Sequence, residues 1–287
     1  MRVGVVLLPQ SRWRGPDGAA QQWRRVEALG FDHAWTYDHL SWRSLVDEPW
    51  FATVPVLAAA AVTTSRIRLG TWVASPNYRH PVPFAKELMT LDDLSGGRFT
   101  LGIGAGGTGF DASVLGGAVL SPPERTARLA EFTGLLDQLL THPVTTVHGE
   151  RYTAVDARMI PDCVQRPRLP FVVAANGPKA MAVATRHGQG WATTGNTEPD
   201  EGQEAWWAGV SELSRRFGDV SAGRVMDRYL NLDSSAVYSL SSLEAYRDAV
   251  GRAADLGFTD VVVHYPRAEG PYAGNVEVLE AAAAGLG

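Results

Sequence analysis

The chain is 287 residues long, 45% of them hydrophobic, with a formal net charge of −5. That is enough apolar material for one large core or two small ones, and the mild acidity, without any basic run, excludes nucleic acid or an anionic membrane surface as a partner. The single cysteine, Cys163, excludes an intramolecular disulfide framework and a cysteine-rich metal site, and reads as a structural thiol in a loop.

In chain order, RVGVVLL at 2–8 is short, β-branched and apolar and predicts a first strand. Its apolar part is too short for a secretion signal. AAQQWRRVEALG at 19–30 sets Trp23, Val26 and Leu29 at helical spacing and ends in Gly30, a natural stop. HAWTYD at 33–38 predicts a second strand, 49–63 a second helix, and IRLGTWVA at 67–74 a third strand. The most apolar stretch, at 54–62, is well short of the roughly 20 residues a membrane span needs. A soluble, cytoplasmic protein without membrane contact is expected. Residues 82–97 predict a third helix with a glycine stop, 98–105 a fourth strand, and 122–141 a fourth helix opened by Pro122 and Pro123, where a missing N–H costs nothing. Strands at 171–175, 190–195, 228–237 and 260–266 then alternate with helices at 178–188, 200–218, 242–257 and 276–286.

Strict alternation implies parallel strands joined by crossover helices. Eight such units in this length meet the specification of a (β/α)8 TIM barrel, an α/β fold, occupying residues 1–287 as a single domain. An open doubly wound sheet is the alternative. Residues 142–170 break the rhythm as a short insertion between strands four and five; TTVHGERYTAV within them predicts a hairpin turning near Gly149, usable as a lid or a partner contact. The seven histidines show no ligand spacing, so no metal is expected.

LGIGAGGTGFD at 101–111 places Gly102, Gly104 and Gly107 in a literal G-x-G-x-x-G, the nominal mark of a dinucleotide turn. The context opposes that reading. The third glycine should open a helix, yet no helical stripe is visible before residue 122, and the run sits on the fourth unit. Gly102 and Gly104 share one face of a strand. Their missing side chains either let a flat ligand approach the backbone or relieve packing inside a narrow barrel.

YDHLSW (37–42), SRIRLGTWV (65–73), YRHPVPFAKELMTLDDLSGGRFTLGIGAG (78–106), ERTARLAEF, GERY and VVAANGPKAMAVATRHGQGWATTG (172–195) together resemble the bacterial-luciferase-like flavin oxidoreductases, in that family's order. The resemblance implies a TIM barrel binding the deazaflavin F420, or alternatively FMN, at the C-terminal strand ends. His39 is then the catalytic residue facing the ring system, against the plainer reading of a loop cap whose tautomer Asp38 fixes. Asp38, Thr71, Trp72, Val73, Gly104, Ala105, Gly106, Gly107, Ala175, Asn176, Gly177, Thr193 and Thr194 are the implied cofactor residues. A bulge closing strand three, often with a non-prolyl cis peptide in the family, matches Trp72–Val73. Ala175–Gly177, opening a helix, match the phosphate segment, with Lys179 and the Thr193 and Thr194 hydroxyls nearby. Trp42 and His264 are substrate-side candidates, with Tyr265 beside the latter; Arg79, His80 and Asp111 read as structural.

Sugar-phosphate dehydrogenases of the F420 branch carry a glutamate acid where this chain has Gly107, which argues against a sugar-phosphate substrate. The resemblance implies an oxidoreductase acting on a small organic molecule by hydride transfer or monooxygenation, as a homodimer, with a separate flavin or F420 reductase as a further partner. An FMN-dependent two-component monooxygenase and a non-catalytic flavin-binding barrel are the alternatives.

Overall fold

A computed structural model describes residues 1–15, 18–107, 110–197 and 199–286. Thr108 and Gly109, at the end of the glycine run, lie outside the described residues. The first four barrel strands are β1 (Arg2–Val6), β2 (His33–Thr36), β3 (Arg68–Thr71) and β4 (Phe99–Gly104). A separate antiparallel hairpin, β5 (Val144–His148) and β6 (Thr153–Arg158), follows. Then come β7 (Phe171–Ala174), β8 (Gly190–Thr193), β9 (Asp227–Asn231) and β10 (Asp260–His264). The eight barrel strands are parallel and close with β10 against β1, Val6 opposite His264. The expected barrel with an insertion between its fourth and fifth strands is therefore present, and the open sheet is not. Among the described residues no helix is long and apolar enough to cross a membrane.

The helices are α1 (Ala19–Ala28), α2 (Thr53–Thr63), α3 (Pro81–Leu94), α4 (Phe110–Val114), α5 (Pro122–Thr141), α6 (Pro178–His187), α7 (Gln203–Ser221), α8 (Leu243–Asp255) and α9 (Val276–Ala283). Two differ from the sequence reading. The second begins at Thr53 rather than 49, because the Phe51 N–H is drawn to the Pro9 carbonyl. The stretch after the glycine run holds α4, five residues with too short a stripe to register, held through Asp111. The strand expected over 228–237 stops at Asn231, whose side chain accepts the Asp233 N–H and starts a 3-10 turn. The hairpin does not hang free: the Glu131 carboxylate of α5 accepts the Arg151 and Tyr152 N–H groups at 2.8 and 2.9 Å.

Strand side chains alternate between two cores. Val3, Val5, Val261 and Val263 face the helices, where Leu129, Phe132, Leu136 and Leu139 of α5 are among their buried company. Each such side chain contributes about 1.5–3 kcal/mol on burial. Val6, Trp35, Trp72, Val172, Tyr229 and Val262 fill the barrel itself. Rings this large fit because their neighbours lack side chains. A Cβ at Gly70 would lie 2.3 Å from Trp35, and one at Gly4 1.8 Å from His33. Trp35 Nε1–H donates to His33 Nδ1 (2.6 Å), so the His33 proton is on Nε2, directed at Asp260 (3.1 Å). Arg2 adds a two-pronged pair to the same carboxylate. The barrel interior is thus solid to its floor.

Asp137 of α5 ties three elements: it accepts from Arg168 Nε (2.6 Å), ahead of β7, and from His187 Nδ1 (3.3 Å), at the end of α6. The hydrogen bond from His187, then that from Arg168, hold its carboxyl at about 2 against the opposing effect of burial. A carboxyl that titrates near ~4 when unfolded binds fewer protons when folded, so the tie stabilises at neutral pH and is lost as pH falls from ~4 towards 2. Chemical-denaturation midpoints should drop across that window. Asp137→Asn should lower the midpoint at pH 7 and flatten the drop; an unchanged acid slope would discount the tie.

Candidate active site at the mouth of the barrel

Period-2 alternation along β2 points His33, Trp35 and then Tyr37 inward, and along β10 Asp260, Val262 and His264. Tyr37 and His264 therefore meet at the C-terminal mouth, the face where barrel enzymes place their chemistry. Tyr37 Oη lies 2.8 Å from His264 Nε2 and 3.0 Å from Tyr272 Oη. Asp233 Oδ2 takes the His264 backbone N–H (2.5 Å) and faces its Nδ1 (3.1 Å); Ser239 N–H donates to the other oxygen (2.9 Å). A carboxylate only accepts, so Nδ1 carries the proton and Nε2 accepts from the Tyr37 hydroxyl. The Tyr272 hydroxyl then donates to Tyr37, and its ring stacks on His264 at 3.7 Å. Burial pushes the Tyr37 hydroxyl well above its ordinary value, so it stays a neutral donor.

His39, half-buried, stands beside this chain, 4.4 Å from the Trp42 ring. Asp111 orients it: Oδ2 accepts from Nδ1 at 2.7 Å, while Oδ1 accepts the Leu40 N–H, also at 2.7 Å. Among the described residues Nε2 has no hydrogen-bond partner, so it is left for a ligand. The expected tautomer-fixing role of Asp38 is thereby corrected. Asp38 is fully buried and spent on Arg79 (2.7 and 2.6 Å) and the Tyr78 hydroxyl (2.5 Å). It braces the loop from behind, and Arg79 is structural.

The opposite wall is nearly free of side chains. The Trp72–Val73 peptide is cis, at the place the family resemblance marked. Thr71 is buried with its hydroxyl on the Gly102 carbonyl (2.7 Å), and Trp72 turns down among the interior rings, so neither side chain faces the mouth; Val73 remains half-exposed. The four glycines of the run divide by environment. A Cβ at Gly102 would lie 2.0 Å from the Thr71 carbonyl oxygen, so that position relieves packing. At Gly104 it would meet Val73 and Ala174 at 3.0 and 3.4 Å, forming a close floor. Gly106 lies under the Asn77 amide with φ +77°, and Gly107 has nothing within 4 Å.

Next along the rim, Ala175 is buried, and Gly177 opens α6 with no side-chain cap and with open space around its Cα. Such a helix start presents unpaired N–H groups and the positive end of the dipole. Thr193 does not present its hydroxyl: it donates to Asn176 Oδ1 (2.7 Å) while Asn176 Nδ2 donates to the Gly195 carbonyl (2.7 Å). The pair locks the turn. Thr194 and Lys179 are exposed at its edge.

The mouth thus gathers His39, Trp42, Val73, Gly104, Ala105, Gly106, Gly107, Asn176, Gly177 and Thr194, with Asp38, Thr71, Trp72, Ala175 and Thr193 supporting from behind. His264 is wholly buried and meets a ligand only through tyrosines; Tyr265 alternates outward, towards the helices. Sequence reading missed Asp233, Tyr37 and Tyr272 and undervalued Asp111. Period-2 alternation could have flagged Tyr37, but the other three act through contacts made far along the chain. Cavities of about 290 and 440 Å³ lie elsewhere, the first beside Arg168 ahead of β7, the second between α5 and the hairpin.

A family model described as luciferase-like monooxygenase matches residues 1–259, and the chain belongs to that family. Residues beyond the match supply β10 and α9. The F420-dependent glucose-6-phosphate dehydrogenase of Intrasporangium calvum is 35% identical over 76% of this chain and 66% of its own. The 4-hydroxyprotoasukamycin monooxygenase of Streptomyces nodosus subsp. asukaensis is 36% identical over 61% of this chain and 47% of its own. The chain therefore spans about half to two-thirds of the length of these curated relatives. The solved structure of monooxygenase RslO1 from Streptomyces bottropensis superposes with TM-score 0.76 at 19% identity, over 99% of this chain and 97% of its own, a likeness of fold.

The glycines offer a direct test of which backbone packs and which waits for a ligand. Gly102→Ala should destabilise by roughly 1–3 kcal/mol or more, the cost of overpacking. Gly107→Ala should leave the thermal midpoint unchanged. Equal effects at both positions would refute the division.

Proposed function

We propose that this protein is an oxidoreductase that holds a flavin-type coenzyme, F420 in preference to FMN, in the barrel mouth for redox chemistry on a small organic substrate. The observation that carries the reading is the asymmetry of the mouth. A wall almost bare of side chains, Gly104 to Gly107 with Ala174, faces a polar and aromatic wall of Tyr37, His39 and Trp42. The uncapped start of α6 stands at one end. A flat ring system with a phosphate-bearing arm fits these features: backbone approach for the ring, helix N–H groups for the phosphate. F420 is preferred because dehydrogenases that use it are among the relatives.

When bound, the coenzyme supplies hydride acceptance or donation. The chain's residues do the rest. Val73 and the glycines seat the ring; Trp42 covers it and excludes water; Asn176 and Gly177 place the arm. Asp111 holds His39 with Nε2 aimed into the mouth, able to exchange a proton there. On the same wall Tyr37 can take up a proton from the substrate as it hands its own to His264 Nε2, so the tyrosine stays neutral and the imidazolium forms beside Asp233, an arrangement that stabilises the charged form. Gly107 brings no acid, so a sugar phosphate is not the substrate proposed.

Oxygenation is the second reading, favoured by the similarity to the 4-hydroxyprotoasukamycin monooxygenase named above. A separate reductase, a homodimer and a cytoplasmic location belong to the same proposal, as does the action of residues 1–287 as one unit; β10 pairing with β1 makes the mouth depend on both ends of the chain.

F420 and FMN should be titrated separately against the purified protein, by ligand fluorescence. F420 should bind; tight FMN binding without F420 binding would reverse the preference. With a turned-over substrate, anaerobic turnover indicates hydride transfer, and an absolute oxygen requirement indicates the second reading. His39→Ala should lower kcat by roughly 10²–10⁴-fold with the fold intact, the usual span for a general acid or base. Asp111→Asn should lose a comparable factor, because an amide no longer enforces the tautomer. Unchanged turnover in His39→Ala would remove its catalytic role.

A further inference from the structure

The end of the barrel opposite the mouth carries a cavity that the proposed function does not use. It measures about 290 Å³ and lies at the N-terminal ends of β7, β8 and β9, beside the carbonyl end of α6. The ten residues of α6 set it about 15 Å from Gly177, where that helix begins. Four guanidinium groups line it: Arg166 and Arg168 ahead of β7, Arg186 in the last turn of α6, and Arg224 ahead of β9. One lining carboxylate, Asp137, faces them.

Arg168 makes the floor. Its side chain is 4% exposed, and its guanidinium carbon sits 3.4 Å from the centre of the Phe171 ring. Four of its five N–H groups are spent, on Asp137 (2.6 Å), the Leu169 carbonyl (2.7 Å), Gln189 Oε1 (3.2 Å) and the His187 carbonyl (2.7 Å). Burial depresses this guanidinium, against the opposing effect of Asp137. Asp137 is shared with His187, so it has no charge left for a second arginine. Arg166 pairs with Asp162, outside the cavity, at 2.6 Å. Arg224 donates only to the Thr185 and Gly188 carbonyls, and Arg186 has no hydrogen-bond or carboxylate partner among the described residues. The carbonyl end of α6 offsets on the order of half a charge. Arg186 and Arg224 bring two, so a positive excess remains in the cavity.

We propose that this cavity is an anion site in which Arg186 and Arg224 clasp the phosphate group of a small molecule above Arg168. A phosphate dianion matches two guanidinium groups that lack carboxylates, and their planar forks give it directional, charge-assisted bonds. The volume, near the lower end for ligand pockets, holds the phosphate and a short organic arm. His187 Nε2 borders the same space without a partner among the described residues and can accept a hydrogen bond from a hydroxyl of the bound molecule. The site shares no residue with the mouth and does not rest on the coenzyme reading.

Inorganic phosphate, phenyl phosphate and succinate should be titrated by calorimetry against the wild type, Arg186→Gln and Arg224→Gln. The wild type should bind both phosphates, and each variant should weaken them by roughly ten- to a hundredfold. Arg186→Gln removes no contact within the chain and should melt like the wild type; a melting curve establishes that Arg224→Gln, which loses two bonds to α6, still folds. Phosphate is also drawn to the start of α6 in the mouth, so its location is read separately in the wild type, where folding is not in question. Phosphate should slow phenylglyoxal modification of Arg186 and Arg224, followed by peptide mass spectrometry, and leave the exposed Arg247 of α8 unchanged. F420 should bind all three proteins equally; if it binds none, the coenzyme reading fails while the phosphate measurements still decide this site. The proposal is overturned if the wild type takes up no phosphate at millimolar concentration, if neither variant weakens binding, or if neither arginine is protected. Sensitivity of succinate alone to the two variants would overturn it as well, since the site would then take a dicarboxylate.

Discussion

The site depends first on how the barrel interior is filled. A ring of eight strands encloses just enough room for packed side chains, and here three of them are large aromatics. Trp35 lies 5.2 Å from Trp72 and 6.0 Å from Tyr229 between ring centres. They are admitted because Gly70, against Trp35, and Gly190, against Tyr229, give up the volume their side chains would take. With the interior solid, a ligand can only lie on top. Turning Trp72 downward also clears β3 from the rim, which leaves Val73 and the β4 glycines as an open wall.

Above that floor, buried aspartates orient the mouth. Asp38 is neutralised by Arg79 and fixes the loop after β2; Asp111 fixes His39; Asp233 fixes His264. Each joins elements distant in sequence and accepts several hydrogen bonds, which is what makes a buried carboxylate tolerable. Asp260 does the same at the floor: burial works against its charge, but His33 and Arg2 hold its carboxyl below the ordinary range. A carboxylate that accepts at one imidazole nitrogen decides what the other can do. The free Nε2 of His39 and the acceptor Nε2 of His264 are both consequences of aspartates that a ligand would not touch.

The fold was legible because it is written in periodicity. Strand and helix runs alternate over the whole chain, and nearly all boundaries fall within a few residues. The glycine run was legible in part: Gly102 relieves packing while Gly107 stands open, and no pattern in the letters separates them. The separation arises because the Thr71 carbonyl at the end of β3 lies against Gly102 while nothing approaches Gly107. His39 was visible from its place after a strand, but its partner was misassigned to the adjacent Asp38. Neighbours in sequence are the default guess for a tautomer; here the strand pairing turns Asp38 away and the short α4 delivers Asp111 from 72 positions along. Asp233 was invisible for the same reason, since it is set by a turn that cuts short the strand expected to run through it.

The placement of the titratable groups constrains how any reaction here proceeds. The β4 side, where a carboxylic acid would have stood, ends in Gly107 with open space. Groups able to move a proton stand on the β2 and β10 side, as His39 with its free Nε2 and as the Tyr37–His264 pair. A substrate lying between the bare wall and these groups would therefore meet its proton donors and acceptors from the β2 and β10 side alone.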